Sequence, residues 1–370
     1  MHIVMIGPRK VLPHPEAGLD RYVWELSNYL ASQGDTVTIY CHRSPQAVPD
    51  PIPKGIVLKE IATPSLHHLD TFIYGFFATC RTLREKAEVI HYHGGVSIFS
   101  WIARLFGKKI AVTIHSQEWT LSRTPWWLRP LYFLGEWIGC KTAHGLSAVS
   151  KDLSVRLELR MRKKVTPLWI GMKTASGSDA ETPAPFGLQK KNYLLFLGRV
   201  EKGKGLEFLL AAFASFKNEM EAKLVIAGEP LYDKNYLEAL KRQAPANVLF
   251  VGRVEGREKE GLLTQALLYI QASEKEGLSL SLVEAMGRGL PVLVSDIPQN
   301  RETCGSCGVF FQPENAQDFK DKLLSLVGNA ARLKAVGEEG RKLFLEKYSW
   351  ENQGKAFLKF YEGIVFHGVK

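Results

Sequence analysis

Glu276-Gly277-Leu278-Ser279-Leu280-Ser281-Leu282-Val283-Glu284-Ala285-Met286-Gly287-Arg288-Gly289-Leu290-Pro291-Val292-Leu293-Val294-Ser295-Asp296 reads as a loop of small residues, an apolar helix, a turn and a strand. Glu276 and Glu284 stand with seven residues between them. The first amide N–H groups of such a helix have no intrahelical acceptor, so an anion is favoured beside Gly277 to Ser281. Glu284 lies about a turn further in. An ionised carboxylate only accepts hydrogen bonds, which suits the vicinal hydroxyls of a sugar. Two isolated glutamates would read as solvated helix charges. The Gly-Leu-Pro turn and the apolar strand that follow argue for an ordered site.

Outward from this stretch, short apolar runs alternate with helical periodicity. Tyr193–Leu197, Lys223–Ala227, Asn247–Val251, Leu268–Gln271 and Pro291–Val294 are expected strands, and so are Ile3–Ile6, Thr36–Tyr40, Glu88–Tyr92, Lys109–Ile114 and Gly145–Val149. Between the first two strands of the N-terminal half, Arg21 to Leu30 repeats as a helix, with Tyr22, Leu26 and Leu30 on one face. Alternation of this kind implies βαβ units around parallel sheets. Residues 171–190, which include Thr174-Ala175-Ser176-Gly177-Ser178, break the pattern and read as a linker. The expected class is therefore α/β. A Rossmann-like domain over 1–170 faces a second one over 191–350 across a cleft, and a helical tail over 351–370 follows. Ligands of open parallel sheets bind beyond the carboxyl ends of the strands.

Three further stretches carry chemistry. Leu197-Gly198-Arg199-Val200-Glu201-Lys202-Gly203-Lys204-Gly205 follows a strand and precedes a helix. Arg199 offers a fork of donors and Lys204 a point charge, a pair suited to a diphosphate. The same spacing is compatible with a solvated basic turn, and it is not a Walker A sequence. Glu16-Ala17-Gly18-Leu19-Asp20-Arg21 precedes the first helix, where Gly18 lets backbone approach a ligand. Thr113-Ile114-His115-Ser116-Gln117-Glu118-Trp119 ends a strand, and His91 and His93 flank Tyr92 at the end of another. Lone histidines are more often packed than catalytic; these gain weight from their place at strand ends.

The glutamate pair and the Gly-Arg…Lys-Gly loop resemble the motifs of glycosyltransferase family 4, retaining enzymes of the two-Rossmann GT-B fold. Leu278 and Ser279 stand where that family usually has Phe and Gly, and Ala17 replaces a glycine of its first loop. The resemblance implies that Glu276 contacts the transferred sugar, that amides near Ser279 and Leu280 hold phosphate, that Gly277 and Leu278 belong to the donor site, and that Glu284 binds the ribose hydroxyls. By the same resemblance Arg199 and Lys204 stabilise the departing diphosphate, His115 contacts the transferring sugar, and Gly18 approaches donor phosphate or acceptor. Arg253 and Val254 lie in the loop expected beside the base. His93 and Glu118 are candidate acceptor contacts. Tyr348-Ser349-Trp350-Glu351 resembles the family's entry to a C-terminal helix that crosses back to the N-terminal domain, with Ser349 as its N-cap. The implied reaction is front-face transfer from a nucleotide diphosphate sugar to a glycan or lipid-linked acceptor, in cell-surface polysaccharide or glycolipid synthesis. No cofactor is expected, and no metal, since the chain has no Asp-x-Asp motif. Two alternatives stay open: another enzyme on the same architecture, such as a nucleotide-sugar epimerase or phosphorylase, and a non-catalytic subunit. A nicotinamide oxidoreductase would need Gly-x-Gly-x-x-Gly after the first strand, which is absent.

The 370 residues carry 48 Lys+Arg against 38 Asp+Glu. The first 170 hold 21 against 13, and seven of the eight tryptophans. This fits contact with an anionic lipid surface or anionic acceptor; nucleic acid is a weaker reading, not adopted as a partner, and solubility alone is the plainest one. Trp119 to Trp137 reads as a membrane-interface segment or as core, and Arg160-Met161-Arg162-Lys163-Lys164 as added attraction to anionic lipid. No run of eighteen apolar residues occurs, and Met1 to Gly7 reads as a strand rather than a signal peptide. Five scattered cysteines fit a reducing compartment. The expected location is cytoplasmic, peripheral on the inner face of the membrane. Cys304-Gly305-Ser306-Cys307 is expected to be structural, because zinc would need two more ligands.

Overall fold

A computed structural model describes residues 1–8, 18–43, 52–63, 69–120, 124–172, 185–215, 221–230 and 233–366. Glu16 and Ala17 of the first glycine loop, and most of the expected linker, lie outside the described residues. The chain divides into two compact units: Met1–Met172 with Trp350–Lys370, and Lys173–Ser349.

The first unit runs β1 (His2–Ile6), α1 (Gly18–Ser32), β2 (Thr36–His42), β3 (Ile56–Ile61), α2 (Asp70–Thr82), β4 (Val89–His93), α3 (Ser100–Leu105), β5 (Ile110–Ile114), α4 (Arg129–Thr142), β6 (Gly145–Ala148), α5 (Lys151–Met161) and β7 (Thr166–Pro167). Its strands form one parallel sheet in the order β3-β2-β1-β4-β5-β6-β7. Helices on both faces bury such a sheet, so strands β4 and β5 are buried at every position. Tyr22, Leu26 and Leu30 of α1 are buried, as their spacing predicts. Two short strands at the sheet's edges, β3 and β7, escape sequence reading. Ile56-Val57-Leu58-Lys59-Glu60-Ile61 lies at one edge, where only its end residues are buried, so it lacks the strongly apolar run that marks a central strand.

The second unit runs β8 (Tyr193–Leu197), α6 (Leu206–Ser215), β9 (Lys223–Ala227), α7 (Lys234–Gln243), β10 (Val248–Gly252), α8 (Gly256–Gln265), β11 (Leu268–Gln271), α9 (Leu280–Gly287), β12 (Val292–Ser295), α10 (Pro298–Cys304), β13 (Val309–Phe311), α11 (Ala316–Val327) and α12 (Ala330–Lys347). Its parallel sheet has the order β10-β9-β8-β11-β12-β13. The strand order reverses direction between β1 and β4 in one unit and between β8 and β11 in the other. Crossovers leave opposite faces at those points, which opens a crevice beyond the strand ends.

The final helix, α13 (Trp350–Phe366), belongs to the first unit. Phe357, Tyr361 and Ile364 are buried at helical spacing. Gly354 allows the approach to α1, since a Cβ there would sit 1.9 Å from the Tyr29 ring. The Trp350 ring stacks on Tyr29 at 5.2 Å. Ser349 immediately precedes this helix. Its hydroxyl donates to the Leu345 carbonyl, 2.8 Å away at the end of α12.

Candidate active site

In the second unit, the loops after β8 and β11 meet at the reversal point. Gly203 and Gly205 have φ of +84° and +68°, a left-handed conformation that glycine tolerates. A Cβ on Gly205 would lie 2.1 Å from the Ala272 carbonyl oxygen, so only glycine lets the loop close on the end of β11. The amide of Glu274 then donates to the Gly203 carbonyl at 3.0 Å. This closure brings Lys204 to Glu276 across 72 residues of sequence. Lys204 Nζ donates to Glu276 Oε1 at 2.7 Å, and Ser273 Oγ donates to the same oxygen at 2.7 Å. Arg199 instead donates to Glu201 at 3.0 Å and stays half-exposed.

Ser279 caps α9, its Oγ accepting from the Leu282 amide at 3.4 Å and donating to Gln271 at 2.6 Å. Gln271, Tyr269 and Asn300 continue this buried chain, with Tyr269 hydroxyl 2.9 Å from Ser281 Oγ and Gln271 Nε2 donating to Asn300 at 3.0 Å. A buried polar network with every link made holds a loop in one geometry. The Glu276–Leu280 loop is therefore fixed from below, with the amides of the first turn of α9 at its end. Val254 is buried, while Arg253 is engaged by Glu255 at 2.7 Å.

Glu284 is nearly buried and receives Lys259 Nζ at 2.6 Å. The next residue of α8, Glu260, holds Arg288 by two hydrogen bonds of 3.1 and 2.6 Å. Two adjacent residues of α8 thus hold the middle of the signature helix, at Glu284, and its C-terminal cap, at Arg288. Sequence reasoning missed Lys259, because nothing in the pattern of α8 marks one of its charges as a partner.

In the first unit, histidines gather at the ends of β4 and β5. His93 Nδ1 and His115 Nε2 share a 3.1 Å hydrogen bond. His91 contacts the Tyr361 hydroxyl at 2.7 Å and Thr113 Oγ1 at 2.6 Å, so the C-terminal helix is tied into the cluster. Gly7 makes room for His93, since a Cβ there would lie 2.7 Å from both the Cβ and the carbonyl oxygen of His93. Tyr22 presents an edge to His115 at 4.7 Å. Burial lowers His91 and His115 to about 3, and His93 falls well below its usual value from burial and its histidine neighbours. Neutral imidazoles at the strand ends can donate or accept toward a sugar. Gly18 opens α1 and is exposed. Glu118 receives the Ser116 hydroxyl.

The depressed values make the first unit acid-sensitive. Below about 6.5 an unfolded histidine takes up a proton that the folded one refuses until about 3. Stability is thus full above that window and is lost as pH falls through it. Even one such histidine is expected to cost about 2 kcal/mol between pH 7 and pH 5. Chemical denaturation of the first unit's signal across this range checks it; a flat profile overturns the neutral assignment.

Among the described residues, no group of three His, Cys, Asp or Glu could hold a metal ion. Cys304 and Cys307 are buried free thiols, and Cys307 Sγ donates to the Cys304 carbonyl at 2.8 Å.

With this geometry in place, two family profiles match: Glycosyltransferase Family 4 over residues 17–167 and Glycosyl transferases group 1 over residues 179–343. The chain belongs to glycosyltransferase family 4. This family-4 chain is 25% identical over 380 residues to the phosphatidyl-myo-inositol mannosyltransferase of Mycobacterium leprae, covering 95% of each. It is 27% identical to an uncharacterised glycosyltransferase of Methanocaldococcus jannaschii over 51% of its own length. It spans about half the length of that relative, 49%. Its fold is GT-B: the sucrose-phosphate synthase of Thermosynechococcus elongatus superposes with a TM-score of 0.81 at 18% identity, covering 98% of both chains.

Proposed function

We propose that this family-4 chain is a retaining glycosyltransferase that moves a sugar from a nucleoside diphosphate sugar to a lipid-linked or glycan acceptor. The Lys204–Glu276 pair carries the reading. It puts a cation and a carboxylate side by side at the reversal point of the second sheet, next to the N-terminus of α9. The diphosphate lies along that terminus, with Lys204 and Arg199 as its cations and the amides of Ser279 and Leu280 as its donors. Glu284 accepts from the ribose diol, and Glu276 addresses the sugar. As the sugar–phosphate bond breaks, negative charge grows on the phosphate. The acceptor hydroxyl attacks from the same face, and its proton passes to the departing phosphate. In this reading the protein's own cations balance that charge, and no metal or cofactor is needed. His115 addresses the transferring sugar; His93 and Glu118 address the acceptor.

The Mycobacterium leprae relative is a phosphatidyl-myo-inositol mannosyltransferase, which supports a lipid acceptor. A glycolipid or cell-surface polysaccharide pathway follows, with peripheral contact at an anionic inner membrane face. Among the described residues no helix is long and apolar enough to cross a membrane.

Thermal unfolding with UDP, GDP and ADP tests donor binding. Ligand at about a hundred times its Kd stabilises by about 2.7 kcal/mol. One nucleotide is expected to raise the Tm, and Glu284→Ala to abolish the shift. No shift with any nucleotide would favour a non-catalytic subunit.

A further inference from the structure

We infer that the outer faces of α2, α3 and α4, with Trp126 and Trp127, form one surface that seats on an anionic lipid bilayer. The inference rests on the lipid-acceptor reading and names the surface that would bring the enzyme to its acceptor. Right-handed crossovers decide which helices share a side of the sheet. The chain moves one way across the sheet through α1 and the other way through α2, α3, α4 and α5. The latter four therefore line one face, and α1, with α13 packed against it, lines the opposite one.

On the shared face the apolar residues point to solvent. Leu105 and Phe106 are 74% and 65% exposed, Trp126 is 80% exposed, and Trp101, Phe76 and Trp137 are also exposed. On α4, Phe133, Leu134 and Trp137 form a stripe at helical spacing, with exposed Arg129 and Lys141 at its two ends. An exposed apolar area of this extent is not explained by packing within the monomer. Aromatic side chains bounded by basic ones are the composition of a helix lying in a bilayer interface.

Charge on α2, α3 and α4 is mostly basic, with Asp70 at the start of α2 and Glu136 in α4 as their acids. No acidic residue occurs from Thr71 to Arg84 or from Gly94 to Gln117. Glu136, the one acid of α4, is buried and paired with Arg160. Arg104 and Arg129 donate to the carbonyls of Thr142 and Thr124, and Lys108 and Lys141 to those of Glu85 and Met161, contacts that leave their charge unneutralised. The basic run at 160–164 contributes less than its composition suggests. Arg160 is spent on Glu136 and on the rings of Trp119 and Phe133, and Lys163 donates to the carbonyls of Cys140 and Ala143. A second copy docking through the same face would oppose like charges. An anionic bilayer instead complements both the charge and the aromatic rim.

Flotation with vesicles of phosphatidylcholine alone, or of phosphatidylcholine mixed with phosphatidylglycerol, tests this. Binding is expected to the mixed vesicles, at least about tenfold weaker to phosphatidylcholine, and weakened by salt. Leu105→Glu with Phe106→Glu is expected to lower partitioning by at least about tenfold. The nucleotide-induced Tm shift of this variant stays unchanged, which separates a failed surface from a failed donor site or a failed fold. Equal binding to both vesicle types, or full binding by the variant, overturns the proposal. So does a dimer in solution that the variant dissolves, because the face would then be an interface between chains.

Discussion

Replacing Lys204 with alanine is expected to lower kcat/KM for sugar transfer by about two to three orders of magnitude, about 3–4 kcal/mol of transition-state stabilisation. Two effects add. The variant loses the cation that meets the growing negative charge on the leaving diphosphate. It also leaves Glu276, whose side chain is 9% exposed, as a carboxylate held by Ser273 with no cation at 2.7 Å, facing the phosphate it must share the loop with. The second effect makes the residue's contribution larger than that of a surface lysine, whose charge water would screen. Lys204→Arg keeps the charge and is expected to recover part of the rate. The assay uses the nucleotide sugar whose nucleotide raises the Tm, with a chelator arm in which the rate is expected to hold. An alanine variant as fast as the native chain removes Lys204 from the mechanism. Loss of rate with chelator alone shows that a metal carries the charge.

Gly205→Ala is expected to destabilise the second unit by at least about 3 kcal/mol and to abolish nucleotide binding. The left-handed φ of +68° alone costs an alanine about 1–2 kcal/mol. The Cβ would also lie 2.1 Å from the Ala272 carbonyl oxygen, a backbone atom at the end of β11 that cannot swing aside. The loop must therefore lift, which parts Lys204 from Glu276. Gly203→Ala is the control. Its φ is +84°, but a Cβ there meets nothing within 4 Å, so only the conformational cost remains. Urea unfolding of both variants separates the two contributions. Equal losses would mean that strain alone matters and that the close approach to Ala272 is not what shapes the loop.

The helices and central strands were legible because local spacing encodes them. Tyr22, Leu26 and Leu30 repeat at the period of a helix whichever fold contains them, and Tyr193–Leu197 is apolar at every position because helices cover both faces of its sheet. The Gly-Arg…Lys-Gly loop and the paired glutamates were legible for the same reason, since both lie within short continuous stretches. Partnership was not. Lys204 meets Glu276 because β8 and β11 are neighbours, and Lys259 meets Glu284 because α8 and α9 enter and leave β11 on the same face of the sheet, facts of topology that charge spacing does not carry. His91 bonds to Tyr361 across 270 residues of sequence, and no periodicity links them. The same holds for charge. Sequence counts showed a basic, tryptophan-rich first half. Only the tertiary structure decided that Arg160 is absorbed by Glu136 while the helices carrying Arg104, Arg129 and Lys141 turn exposed aromatic rings to solvent. A side chain's period follows from its own backbone, whereas its neutralising partner follows from which distant elements the sheet brings together.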